Sequence, residues 1–195
     1  MMTGIPIENN LWTAYLLTIF FVVAGFAVYD VLYRRVPDRA LVFFIPLAAL
    51  APVLQGYFLL NHGLPPLFLW PVATHALVGA LLGFCIPLAA ALATNGTGLG
   101  GGDIKFCGIL GLVYGPSGMA LVFLTAAVTA MPVIFLLRRL YRTGQPLAIP
   151  FLPFLACGCC TATLAQLFLR KEADIPIAPS LYSLSNKMAN NLTGC

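Results

Sequence analysis

The sequence predicts an all-α membrane protein, a polytopic bundle of about six transmembrane helices. Composition is the first reason: 61% of residues are hydrophobic, 8% are charged, and the mean hydropathy is +0.96. Soluble domains carry about a quarter charged residues. The second reason is an uncharged stretch from Ala40 to Gly102, long enough for two helical spans of about 20 residues each. Third, Pro and Gly punctuate the apolar runs, as in Leu64-Pro65-Pro66, Gly115-Pro116-Ser117-Gly118 and Gly144-Gln145-Pro146. With 195 residues, the chain reads as a single integral-membrane domain, 1–195, with no separate soluble module.

The spans fall at roughly 11–30, 41–60, 69–92, 102–115, 118–137 and 148–169, followed by a tail over 170–195. No Lys or Arg precedes Arg34, and the uncharged run from Asn9 to Tyr29 is long enough to cross a bilayer. The first segment therefore reads as a span rather than a signal peptide. Trp12 and Trp70 lie near span ends, where interfacial tryptophan is expected. The fourth span is short, about 20 Å at 1.5 Å per residue, and the alternative is one long kinked helix running through Gly115–Gly118.

Positive charge decides for six spans. Arg34, Arg35 and Arg39, then Lys105, then Arg138, Arg139 and Arg142 all face one side, the cytoplasm, in a six-span chain. With five spans Lys105 and the Arg138 cluster would lie on opposite sides. The net charge of +4 is small, and its clustering bears on topology rather than on nucleic acid.

Asp103 is the most informative residue. It follows Gly96, Gly98, Gly100, Gly101 and Gly102 in an otherwise apolar sequence, and a carboxylate kept beside hydrocarbon implies a function. The glycines break regular helix and let another backbone approach. Asp30 closes the first apolar run. The first span ends at Asp30 and the fourth starts at Asp103, so both acids lie at similar depth on the cytoplasmic side. Two carboxyls there would tend to share a proton. One can then act as general base on a water while the other, protonated, polarises a carbonyl.

Simpler roles are open to the same residues. Asp30 would cap a helix end held by Arg34, one turn on; Asp103 would pair with Lys105 or N-cap the fourth helix. Asp38 reads as a solvated loop charge, and Glu8, Glu172 and Asp174 as surface residues of the tails. Gly96 to Gly101 matches G-x-G-x-x-G, but that pattern means dinucleotide binding only inside a βαβ unit. His62 and His75 lie near the opposite membrane face from the aspartates. Ala76, Gly79, Ala80 and Gly83 suit close helix packing.

The six cysteines are Cys85, Cys107, Cys157, Cys159, Cys160 and Cys195. Cys157 to Cys160 contains a C-x-x-C, but no second pair or histidine lies nearby to complete a zinc site. Packing is the better reading, and neither a metal nor a cofactor is expected. Two other function classes compete with acid/base chemistry. A small transporter would use intramembrane acids as a proton or cation relay near the midplane, and a non-catalytic assembly factor would tolerate loss of either aspartate.

Three motifs carry a family resemblance. Gly100-Gly101-Gly102-Asp103 fits the G-x-G-D signature of membrane aspartic peptidases, and Gly100 to Lys105 resembles the second catalytic motif of type IV prepilin peptidases. Asp30 to Asp38 resembles that family's first motif, an aspartate at a helix end followed by basic residues and Ile-Pro-Asn. Here Val36-Pro37-Asp38 stands in that place, so an acid replaces the usual Asn. Ile149 to Phe154 resembles the Pro-Phe-x-Pro-Phe stretch of the final span.

The resemblance implies a membrane aspartic endopeptidase with Asp30 and Asp103 as the catalytic pair. Gly100, Gly101, Gly102, Lys105 and Pro37 are implied as motif or substrate-binding support, the extended glycine run accepting substrate as an added strand. It implies that a prepilin or pseudopilin, with a short basic leader followed by a hydrophobic helix, loses that leader, typically after a glycine, at the cytoplasmic face of the bacterial inner membrane. Membrane lipid and the pilus or secretion assembly machinery are the implied surroundings. The chain looks like the short form serving Flp/Tad-type pili, without the N-terminal cysteine-bearing domain, and the methyltransferase activity of the long form is not carried over.

Overall fold

The computed structural model describes residues 5–33, 38–61, 63, 65–94, 100–140 and 150–173. Regular structure among them is helical: α1 (Ile5–Tyr33), α2 (Asp38–Asn61), a 3-10 turn (Pro66–Phe68), α3 (Leu69–Ala93), α4 (Gly101–Leu140) and α5 (Leu152–Ala173). Hydrocarbon offers no partner to backbone N–H and C=O groups, so apolar sequence closes its own bonds as helix. Residues 1–163 form one compact unit and residues 164–195 a second, whose described part is the end of α5.

All five helices are long and apolar enough to cross a membrane. The all-helical polytopic class therefore holds, but the count among the described residues is five rather than about six. The difference lies in α4, a helical element of 40 residues that takes in both the fourth and fifth expected spans. The Gly-Pro-Ser-Gly stretch was expected to be a loop. Instead the departure from helix is made at Gly115, with φ 66° and ψ −176°, a conformation open to glycine and strained for other residues. A Cβ there would also strike the ring of His75.

The break turns the chain back. On a straight helix Thr125 would stand about 16 Å beyond Tyr114. Yet the Tyr114 hydroxyl bonds that of Thr163 at 2.8 Å, and the Thr161 hydroxyl donates to that of Thr125 at 3.1 Å. Both partners lie within one turn of α5. A Cβ on Gly158, also in that stretch, would meet the carbonyl of Val122. The two halves of α4 thus lie side by side against the same length of α5, as the fourth and fifth expected spans would.

Glycines set the closest packing. A Cβ on Gly79 would collide with the carbonyl oxygen of Gly111, one on Gly83 with that of Cys107, and one on Gly111 with that of Gly79. Gly79 and Gly83 are four apart on α3, as are Gly111 and Gly115 on α4, so each helix presents a bare stripe to the other. Side chains fill the rest: Leu16, Ile19 and Val23 on α1, Phe106, Leu110 and Val113 on α4, and Leu155 on α5 are fully buried. Phe21, Phe43, Met131 and Phe135 point outward, as lipid-facing residues do.

Two details of α1 were not expected. Trp12, near the start of its span, is buried against Tyr15 and Phe58, whereas Trp70 is exposed. Pro52 interrupts α2 and has no N–H for the carbonyl of Ala48 one turn back. The buried hydroxyl of Tyr15 donates into that gap, 3.0 Å from the Leu47 carbonyl oxygen and 3.5 Å from that of Ala48.

Because the α3–α4 contact is backbone on backbone, Gly79→Val should destabilise the protein by about 3 kcal/mol or more. Gly25→Ala, where a Cβ meets nothing within 4 Å, should be neutral or mildly stabilising. Thermal melts of the two variants in detergent measure the contrast; equal melting points would mean that the seam can open without cost.

Candidate active site

Four helix ends gather at one end of the bundle. Asp30 lies in the last turn of α1, Asp38 opens α2, Asp103 is the third residue of α4, and Leu152 opens α5. An aromatic cluster holds three of these helices in register. The rings of Phe26, one turn before Asp30, Phe44, and Phe106, three residues beyond Asp103, have centroids 5.0 to 5.9 Å apart. Phe44 and Phe106 are buried, so the platform under the aspartates is dry and close-packed.

Asp30 is 6% exposed, and a buried carboxylate needs a donor. It finds one in the backbone N–H of Leu152, 3.2 Å from Oδ2. The first N–H groups of a helix have no partner inside it and carry the positive end of its dipole. Asp30 therefore sits where the start of α5 lacks an acceptor. Its expected partner Arg34 lies outside the described residues.

Asp103 is half-buried and bends back to its own helix start. Its Oδ2 accepts the N–H of Gly100 at 3.3 Å, while its N–H donates to the Gly100 carbonyl at 3.1 Å. This is the acid's half of a capping box, a backbone turn bond standing where an N-cap side chain would accept, with the acid three residues into the helix rather than at the N-cap. A Cβ on Gly100 would lie 3.4 Å from that oxygen, so glycine leaves the carboxylate room. Nothing lies within 4 Å of a Cβ at Gly101, and Gly102 is half-buried. Asp103 lies within reach of the charge of Asp30.

Lys105 does not pair with Asp103. Its Nζ lies 3.1 Å from Oδ1 of Asp38, with both side chains largely exposed. Asp38 is thus the first residue of α2 rather than a loop charge, and it ties α2 to α4. An exposed pair of this kind contributes about 0–1 kcal/mol, so its effect is on position more than on stability. Pro37 lies outside the described residues. Among the described residues no three His, Cys, Asp or Glu side chains converge as a metal site. His75 packs at Gly115, one helix length from Asp103.

Sequence reasoning missed two features here. The donor to Asp30 is a main-chain group, which no residue type announces; the trace it leaves is Pro150 and Pro153 bracketing the start of α5, where proline suits a first turn. The Asp38–Lys105 pair left no trace beyond opposite charge.

No solved structure matches this chain. A prepilin leader peptidase/N-methyltransferase of Bacillus subtilis (strain 168) is 34% identical over 142 residues, covering 71% of this chain and 50% of that protein. The chain thus spans about half the length of that relative. The model of the type IV leader peptidase family matches residues 13–135, a segment that contains both Asp30 and Asp103. By that match, over well more than half of its length, the chain belongs to the type IV leader peptidase family.

Proposed function

We propose that this protein is a membrane aspartic endopeptidase that removes the short basic leader from Flp-like type IV prepilins or pseudopilins. Asp30 and Asp103 are its catalytic pair, and it works at the cytoplasmic face of the bacterial inner membrane. The observation that carries the proposal is the placing of two carboxylates from distant helices at one end of an apolar bundle, each held by a backbone N–H and near enough for their charges to interact. Family membership supports the same reading.

The chemistry follows from a proton shared by the pair. The ionised carboxyl takes a proton from water as it attacks the scissile carbonyl, and the protonated one hydrogen-bonds the carbonyl oxygen as charge develops there. The second proton transfer goes to the leaving amine, which restores the pair. The backbone bonds from Leu152 and Gly100 fix the position of each carboxyl, so the water needs little further ordering. Gly100 to Gly102 bring no side chain between Asp103 and an extended substrate. A relay for ions would place its acids near the midplane, whereas these stand at helix ends.

Asp30→Asn or Asp103→Asn should each abolish leader removal, a loss of about a thousandfold or more, with membrane levels unchanged. Co-expression with a candidate prepilin, followed by the gel shift on leader loss, reads the result. Substantial cleavage by either variant at normal abundance would sink the pair assignment.

Asp38→Asn should keep most activity, because the Lys105 pair is exposed and a neutral amide still accepts its hydrogen bond. If this variant proved as inactive as Asp103→Asn in the same assay, Asp38 would belong with the catalytic pair.

Reporter fusions or cysteine accessibility should put the segments around Arg35, Gly98 and Arg142 in the cytoplasm, and those around Gly63 and Ser117 on the far side. Opposite sidedness for Arg35 and Gly98 would separate the two aspartates and favour the transporter.

A further inference from the structure

An open groove of about 610 Å³ runs between α2 and α3, with α4 as its floor. Leu41, Val42 and Ile45 form one wall, Ala80 and Phe84 the other, and Gly108, Ile109 and Leu112 line the floor. The charged residues lining it are Asp38 and Lys105, both in the first turns of their helices. Leu112 lies about 10 Å deeper along α4 than Lys105. The groove is therefore polar at the end that holds the aspartates and apolar along the rest.

We propose that this groove receives the apolar segment of the substrate, the part that follows the cut, as a helix packed across α2, α3 and α4. The inference rests on the peptidase reading and adds the subsite. Three observations select this occupant. The mouth of the groove lies at the same end of the bundle as the site, on the next face of α4, since Lys105 is two residues beyond Asp103. A chain with a polar leader followed by an apolar helix has the same change of polarity at the point of cleavage. Ala80 on one wall presents little side chain, while Phe84 covers Gly108 and offers its ring as a packing surface. The α3–α4 seam is already closed backbone to backbone, so an entering helix lies over it rather than between the two. The Asp38–Lys105 pair then marks the level at which the leader leaves the hydrocarbon.

The test uses the full chain carrying Asp103→Asn, reconstituted in phosphatidylethanolamine and phosphatidylglycerol vesicles. A benzoylphenylalanine photocrosslinker is placed at Val42, at Ile45 or, as control, at Phe21, which is exposed on α1 and does not line the groove. The probe is a synthetic peptide with a lysine-rich leader ending in glycine, followed by a membrane-spanning Leu/Ala helix. Val42 and Ile45 should give peptide adducts that excess unlabelled peptide suppresses, and Phe21 should give none. Adducts with phospholipid alone at Val42 and Ile45, or equal peptide labelling from Phe21, would overturn the groove assignment. In the otherwise unaltered chain, Ile45→Trp should raise KM for this peptide about tenfold with kcat held; an unchanged KM would count against the groove. Whether the unaltered chain cuts the peptide at all decides the peptidase reading, and the adduct pattern is read in a variant that does not cut.

Discussion

The contact on which the rest of this structure depends is the one between the backbones of α3 and α4. In hydrocarbon there is no water to drive apolar side chains together, so helices hold each other by close fit. Gly79, Gly83 and Gly111 remove the side chains that would keep the axes apart. That fit fixes α4 along its first half, and Asp103 stands at its first turn. The position of the acid is thus determined by a glycine eight residues along α4 and by two on α3, none of which takes part in chemistry.

The other aspartate is held differently. Asp30 is placed by the register of α1, which Phe26 locks against Phe44 and Phe106, and by the start of α5, which supplies Leu152 N–H. One carboxylate is therefore bound to the start of a foreign helix and the other to the start of its own. Each satisfies an orphan donor that a helix start must otherwise leave open. Structural and chemical roles coincide in both, and the capping alternative for Asp103 is compatible with catalysis.

Much of this was legible in the sequence because lipid imposes simple rules. Low charge and long apolar runs gave the class and nearly all the span positions, and the ends of the runs brought Asp30 and Asp103 to one end of the bundle. What escaped the sequence follows from short-range geometry. Gly115-Pro116-Ser117-Gly118 looked like a loop, but one glycine at positive φ makes the turn, so helix is counted continuously from Gly101 to Leu140. Trp12 was placed near a span end by residue type, and the buried seat that Phe58 and Tyr15 give its ring left no trace in the sequence. Asp38 was read as a loop charge because Pro37 precedes it, yet it opens α2 and reaches Lys105 from 67 positions away.

The turn at Gly115 also bears on how the chain enters the bilayer. Separate spans are joined by polar loops that water can hold while each helix partitions alone. Here almost no polar chain is available between the halves of α4, and the bond between the Tyr114 and Thr163 hydroxyls forms only once α5 has arrived. A connection this short would keep the two halves together as a helical hairpin during insertion. Biogenesis of this protein is then cooperative at that step, with α5 as the element that completes it.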